Sequence, residues 1–434
     1  MRSQRVLFGL LLSLVVCNLS HSNSQKVTDL KTLISVAKEN SPEFQRIDLD
    51  LEKIETSRQK SYAELFPSLK LESVLSKNGN QDPEITTPWQ WQSQITLKGT
   101  LFDNGENLTR YQIAGLNLEK TQLESKYRKN KLTSELVLLY FKYSLKNKLM
   151  ELSVKQNDLL NKQFKQIENL YKQGLKTQKD FLRFKAQVSR SLISLNNLSN
   201  ELHDAKLSLF EKLGFEETPA LEFVPMEFEK NENIFERNPT INKSEFLLTR
   251  VFEIQSRINS LESSLVTRTL WPQLNMTAGA HYSHTQTWGS GSTQTSTGGF
   301  WGWNIGLGLE YILWDFGAQR KERQIARLQN KIQDFELRQN YLSSMREIDN
   351  LAKNFLESQK NLNLYRDLLK LEKNNLDTIE LEYRNGKAGY LELIAGLNDF
   401  SESQVGYYTA FFNFIENQVQ IDFYNGTLYE KIHQ

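Results

Sequence analysis

Apolar positions along this chain follow two periods. Between Gly115 and Gly174 there is neither glycine nor proline. There, Leu132, Leu136, Leu139, Tyr143, Leu149, Leu152, Leu160, Phe164, Ile167 and Tyr171 recur at combinations of three- and four-residue steps. That is the stripe of an amphipathic helix. From Gly105 to Gln173 it predicts one helix of 69 residues, roughly 100 Å at 1.5 Å per residue. Elsewhere the period is two. One face of a run reads Trp89, Trp91, Ser93, Ile95, Leu97, Gly99, Leu101, and the other reads Gln90, Gln92, Gln94, Thr96, Lys98. A second run sets Trp301, Trp303, Ile305, Leu307, Leu309, Tyr311, Leu313 against Gly302, Asn304, Gly306, Gly308, Glu310. Weaker alternation sets Leu69, Leu71, Leu75 against Lys70, Glu72, and Leu274, Met276, Ala278, Ala280, Tyr282 against Gln273, Asn275, Thr277. These predict four strands, about 68–76, 89–101, 273–285 and 300–313. Each has about the ten residues that a tilted strand needs to cross a membrane.

All seven tryptophans fall within 89–91 or 271–314. Aromatics near the ends of apolar strand faces suit a membrane interface. Trp89, Trp91, Trp301, Trp303 and Trp314 are the candidates. A soluble sheet with one buried face is the plainer alternative.

The chain repeats itself. Leu101-Phe102-Asp103-Asn104-Gly105 matches Leu313-Trp314-Asp315-Phe316-Gly317 at an offset of 212. Leu170-Tyr171-Lys172-Gln173-Gly174 matches Glu382-Tyr383-Arg384-Asn385-Gly386 at the same offset. The strand entries, Leu65-Phe66-Pro67-Ser68-Leu69 and Leu270-Trp271-Pro272-Gln273-Leu274, match at 205. Duplication makes each half one structural unit: short helix, strand, loop, strand, very long helix, tight turn, helix. The plan is a first repeat over 25–213, with long helix about 105–173, tip turn 174–178 and helix 179–212. A linker over 214–238 follows. The second repeat is 239–425, with long helix about 317–385, tip turn 386–390 and helix 391–424, and a tail covers 426–434. Pro239 to Pro272 spans 33 residues against 25 from Pro42 to Pro67, so two extra helical turns or a longer lead-in are expected.

Composition narrows the function. Among 434 residues, 53 Lys and Arg against 52 Asp and Glu leave a net charge of +1, unlike a nucleic-acid binder. A mean hydropathy of −0.54 argues against a bundle of membrane helices. Residues 1–24, with Arg2, Arg5 and an apolar core from Val6 to Val16, read as a signal peptide. It holds Cys17, the single cysteine, so no disulfide or multi-cysteine metal site is expected. His281 and His284 look like a metal pair, but odd spacing on a strand puts them on opposite faces. No Ser/His/Asp set, nucleotide loop or paired carboxylates stand out. No enzyme, cofactor or metal is expected.

In their order, twice and at one spacing, these motifs resemble the TolC-like outer-membrane efflux proteins. The resemblance covers essentially the whole mature chain and includes Gly426-Thr427-Leu428. It implies a mainly α fold with a transmembrane β-barrel part. Three chains would share a 12-stranded β-barrel continued by a 12-helix periplasmic α-barrel. It also implies a passive exit duct for small molecules, served by a periplasmic adaptor and an inner-membrane transporter. The alternatives are a type I protein-secretion channel and, more distantly, a soluble periplasmic scaffold. Tyr171, Gly174, Tyr383 and Gly386 would form the tip turns at a closed periplasmic iris. Asp180 and Glu392, each six residues after a tip glycine, would be the iris carboxylates. Their plainer reading is as helix-start residues. The chain departs from the family where a further acidic ring is often found, since Ala395 stands there.

Overall fold

The computed structural model describes residues 26–27, 30–77, 89–216, 222–226, 247–286, 297–426 and 428. The expected signal peptide, most of the 214–238 linker and most of the tail lie outside these residues.

The elements in chain order are β1 (Lys26–Val27), α1 (Leu30–Asn40), α2 (Pro42–Ala63), β2 (Ser68–Lys77), β3 (Trp89–Phe102), α3 (Glu106–Lys172) and α4 (Gln178–Leu213). Then come β4 (Glu222–Phe223), α5 (Leu247–Arg268), β5 (Gln273–Gln286), β6 (Thr297–Glu310), α6 (Ala318–Arg384) and α7 (Tyr390–Tyr424). The two long helices have 67 residues each. Helices α2 and α5 both have 22, so the longer run before Pro272 adds no turn to the described helix. Residues 239–246 lie outside the described residues.

Both long helices start from the same turn. Asp103 accepts from the N–H groups of Gly105 and Asn107, each at 2.9 Å. Asp315 accepts from Gly317 and Gln319 at 3.0 and 2.6 Å. Two helix-start donors are thereby satisfied in each repeat. The turn needs two consecutive left-handed residues, Asn104 and Gly105 at φ 54° and 77°, then Phe316 and Gly317 at 54° and 91°. Asparagine tolerates that region; phenylalanine is strained there.

The antiparallel sheet has the order β2-β3-β5-β6. Register places Ser73, Ser93, Tyr282 and Trp301 in one row, and Leu71, Ile95, Ala280 and Trp303 in the next. The opposite face carries rows such as Glu72, Gln94, His281 and Gly302. His284 falls on the apolar face beside Trp91. Strand β6 ends at Glu310 rather than at 313. Its partner β5 begins at Gln273, which pairs with Glu310, so residues 311–313 find no ladder among the described residues. Trp314 therefore follows an unpaired extension.

Helices pack in the strand order: α2 on α3, α3 on α5, and α5 on α6. Toward the other end, α4 and α7 flank α3, and α6 packs on α7. The main core lies where α1, β4 and the ends of α4 and α7 meet α3, around Leu136, Phe141, Leu209, Phe411 and Ile415. Among the described residues no helix is long and apolar enough to cross a membrane.

Candidate functional site: the helix tips

Each long helix ends in the same way. Gly174 (φ 75°) lets Leu175 N–H reach the Leu170 carbonyl at 2.8 Å, while its own N–H donates to Tyr171 O at 2.9 Å. Gly386 (φ 71°) repeats this, with Lys387 N–H on Glu382 O at 2.8 Å and its own N–H on Tyr383 O at 3.1 Å. This glycine-dependent closure satisfies the orphan carbonyls of the helix end. The next helices start differently. Thr177 Oγ1 accepts from Asp180 N–H at 3.2 Å. Gly389 has no side chain to offer, and the Glu392 carboxylate reaches back to its N–H at 3.4 Å, one half of a capping box.

The two tips meet through a residue that the sequence did not single out. Tyr390 Oη donates to Asp180 Oδ1 at 2.7 Å, joining the second hairpin to the first. The Tyr390 bond, then the Thr177 hydroxyl, hold the Asp180 carboxyl below the usual carboxylate range. Burial, then the Asp180 bond and charge, push the Tyr390 hydroxyl up to about 12. Lys176 Nζ lies 4.8 Å from the Tyr390 ring centroid, a cation–π contact. At the 212 offset Asp180 corresponds to Glu392 and Tyr390 to Gln178, so the contact joins unlike positions of the two repeats. Further from the tip, Gln187 Nε2 donates to Asn398 Oδ1 at 3.1 Å, again between α4 and α7.

The expected tip residues divide. Tyr171 stacks on Phe181 within its own hairpin, with centroids 4.9 Å apart, and Phe181 stacks on Phe164 at 5.6 Å. Tyr383 packs against the seam of Leu160, Ile167, Phe184, Val188 and Tyr390 that joins the hairpins. Asp180 is bonded across that seam; Glu392 is exposed and caps α7.

At the other end, Trp89 opens β3. Trp91, Tyr282 and Trp301 form a row with centroid spacings of 6.0 and 5.1 Å, and Trp91 Nε1–H donates to Ser73 Oγ at 2.8 Å. Trp301 and Trp303 are each 78% exposed on the apolar face, and Trp314, at 77%, stands against Phe316.

The structure is thus a duplicated helical body carrying a four-stranded sheet, with one hairpin tip bonded to the other. The chain belongs to the outer membrane efflux protein family, whose profile matches residues 33–214 and 262–404. That family is one of outer-membrane channels with a periplasmic helical body, not of enzymes. Its members are trimers that work with adaptors and inner-membrane transporters. Solved structures share the fold. The CusC channel aligns with a TM-score of 0.75 at 14% identity, covering 91% of each chain. The open state of Neisseria gonorrhoeae MtrE gives 0.72 at 14%, covering 92% of this chain and 88% of its own. Campylobacter jejuni CmeC gives 0.76 at 11%, covering 92% and 85%. Comparison with curated protein sequences gives no match.

Proposed function

We propose that three copies of this chain form the exit duct of a tripartite efflux system, conducting small molecules passively to the exterior. The observation that carries this reading is the matched order of strands and helices. Among the described residues, sheet and helical body are open at the same two flanks, β2 with α2 and β6 with α6. An open strand edge in hydrocarbon leaves backbone groups unsatisfied at several kcal/mol each. The free flank of α6 also exposes Ile325, Leu328, Ile332, Phe335 and Leu342, a stripe at heptad spacing. Both flanks call for another copy. Two copies would give eight strands, a bore filled by its own side chains; three give twelve and a conducting lumen.

The apolar rows then face lipid, and the rows of Gln, Thr, Lys, Asn and Glu face water. The tips form the gate. Asp180 acts there as the acceptor of a latch from Tyr390, and Glu392 as the cap that holds the start of α7. Opening separates α4 from α7 and breaks the Tyr390–Asp180 bond. The test is Tyr390→Phe, which keeps the buried ring and deletes the donor. In planar bilayers it should raise the open fraction several-fold over the wild type. Equal open fractions would reject the latch.

A further inference from the structure

We infer that the periplasmic mouth favours anions, so that the cargo it admits best is a small anionic solute. This rests on the trimeric duct reading, with the tips as its entrance. In the twelve residues after each tip tyrosine, the first hairpin carries Lys172, Lys176, Lys179 and Arg183 against Asp180. The second carries Arg384 and Lys387 against Glu392. Six cations thus face two carboxylates per chain, and three copies would hold a surplus of twelve charges. Both carboxylates are engaged, Asp180 by the Tyr390 hydroxyl and Glu392 by the Gly389 N–H. Ala395, where a further carboxylate would strengthen cation binding, is exposed and neutral.

All the cations are exposed except Lys176, which is half-buried against the Tyr390 ring. One turn further up, Glu168 lies 3.0 Å from Lys172 and Glu380 lies 3.5 Å from Arg384. Including these and Glu382 reduces the surplus to one positive charge per chain, so the excess is concentrated at the tips. The polar face of the sheet sets no sign. Among the described residues it carries Lys70 and Lys98 against Glu72 and Glu310, with Lys70 and Glu72 paired at 3.0 Å. Charges around a narrow opening act within a Debye length of about 8 Å at physiological salt, raising the local concentration of counter-ions.

The test uses the purified full-length protein as single channels in a planar bilayer under a KCl gradient. The wild type should pass chloride in preference to potassium. Lys179→Glu with Lys387→Glu removes the tip surplus without touching the Tyr390–Asp180 bond, and should lower the chloride-to-potassium ratio at least threefold. Lys179→Gln with Lys387→Gln, a milder change, should give about half that effect and guards against misfolding of the first pair. In proteoliposomes a carboxylated dye should exchange faster than a cationic dye of equal size. A cation-selective wild type, an unchanged ratio in both pairs, or equal dye rates would overturn the inference. A trimer that never conducts would instead overturn the duct reading on which it rests.

Discussion

The two repeats share a backbone and differ in what their side chains do with it. Asp103 and Asp315 cap the same two positions of the long helices, and Gly174 and Gly386 close those helices with the same bonds. At the tips the halves part. One starts its return helix on the Thr177 hydroxyl, the other on the Glu392 carboxylate. One presents the acceptor Asp180, the other the donor Tyr390. The frame is duplicated, while the tips are fitted to each other rather than to themselves.

The largest test of the shared frame is in the sheet. Ile95 and Leu307 are equivalent across the 212 offset, and both lie on the apolar face. Arginine at either should cost about 2–4 kcal/mol per chain at mid-bilayer depth. The yield of membrane-assembled protein should fall at least tenfold for both, while Asn304→Arg on the polar face should assemble. Equal loss for Asn304→Arg would reverse the assigned faces.

The exit turns come next. Alanine at Gly317 meets open space, so only the left-handed backbone resists it, by about 1–2 kcal/mol. Alanine at Gly105 would also place its Cβ 2.6 Å from Arg268 Nη1, which donates to Asn104 O at 2.8 Å. Gly105→Ala should therefore lower the thermal midpoint more than Gly317→Ala. Equal shifts would show that the Arg268 bond contributes nothing.

Smaller effects belong to the helix starts. Thr177→Ala should destabilise α4 by about 1 kcal/mol, and Glu392→Ala should destabilise α7 by less, since its bond is longer. Hydrogen exchange at the first turns of α4 and α7 would rank them.

The smallest effect is on pH. The Asp180 carboxyl is held low, so its contribution is complete above the ordinary carboxylate value of about 4 and is lost as pH falls through the lowered one. The Tyr390 hydroxyl is held high, so its contribution is complete below about 10 and is lost as pH rises through about 12. Closed-channel leak should be flat from about pH 5 to 9, rise in stronger acid or alkali, and show no such rise in Tyr390→Phe.

Much of this frame was legible because it is written twice. Long tracts without proline or glycine marked α3 and α6, and period-two alternation marked the strands. What escaped was set by neighbours rather than by pattern. Strand β6 stops at Glu310 because β5 begins opposite it, although alternation continues to Leu313. Pro239 to Pro272 leaves open extra helical turns or a longer lead-in; the described α5 and α2 have 22 residues each, and residues 239–246 lie outside the described residues. Tyr390 escaped because its partner lies in the other repeat, at a position unrelated by the 212 offset. The iris role of Asp180 is what the resemblance implies, and the Tyr390 hydroxyl bonded to its carboxylate is visible only in the fold.

The trimeric duct is tested most directly by the mass of the native complex. The protein would be extracted from the outer-membrane fraction in mild detergent and weighed with the detergent contribution subtracted. Three chains per particle is the predicted result. A monomer or dimer recovered from the soluble periplasm would contradict the account, because the open edges of β2 and β6 would then face water rather than another copy.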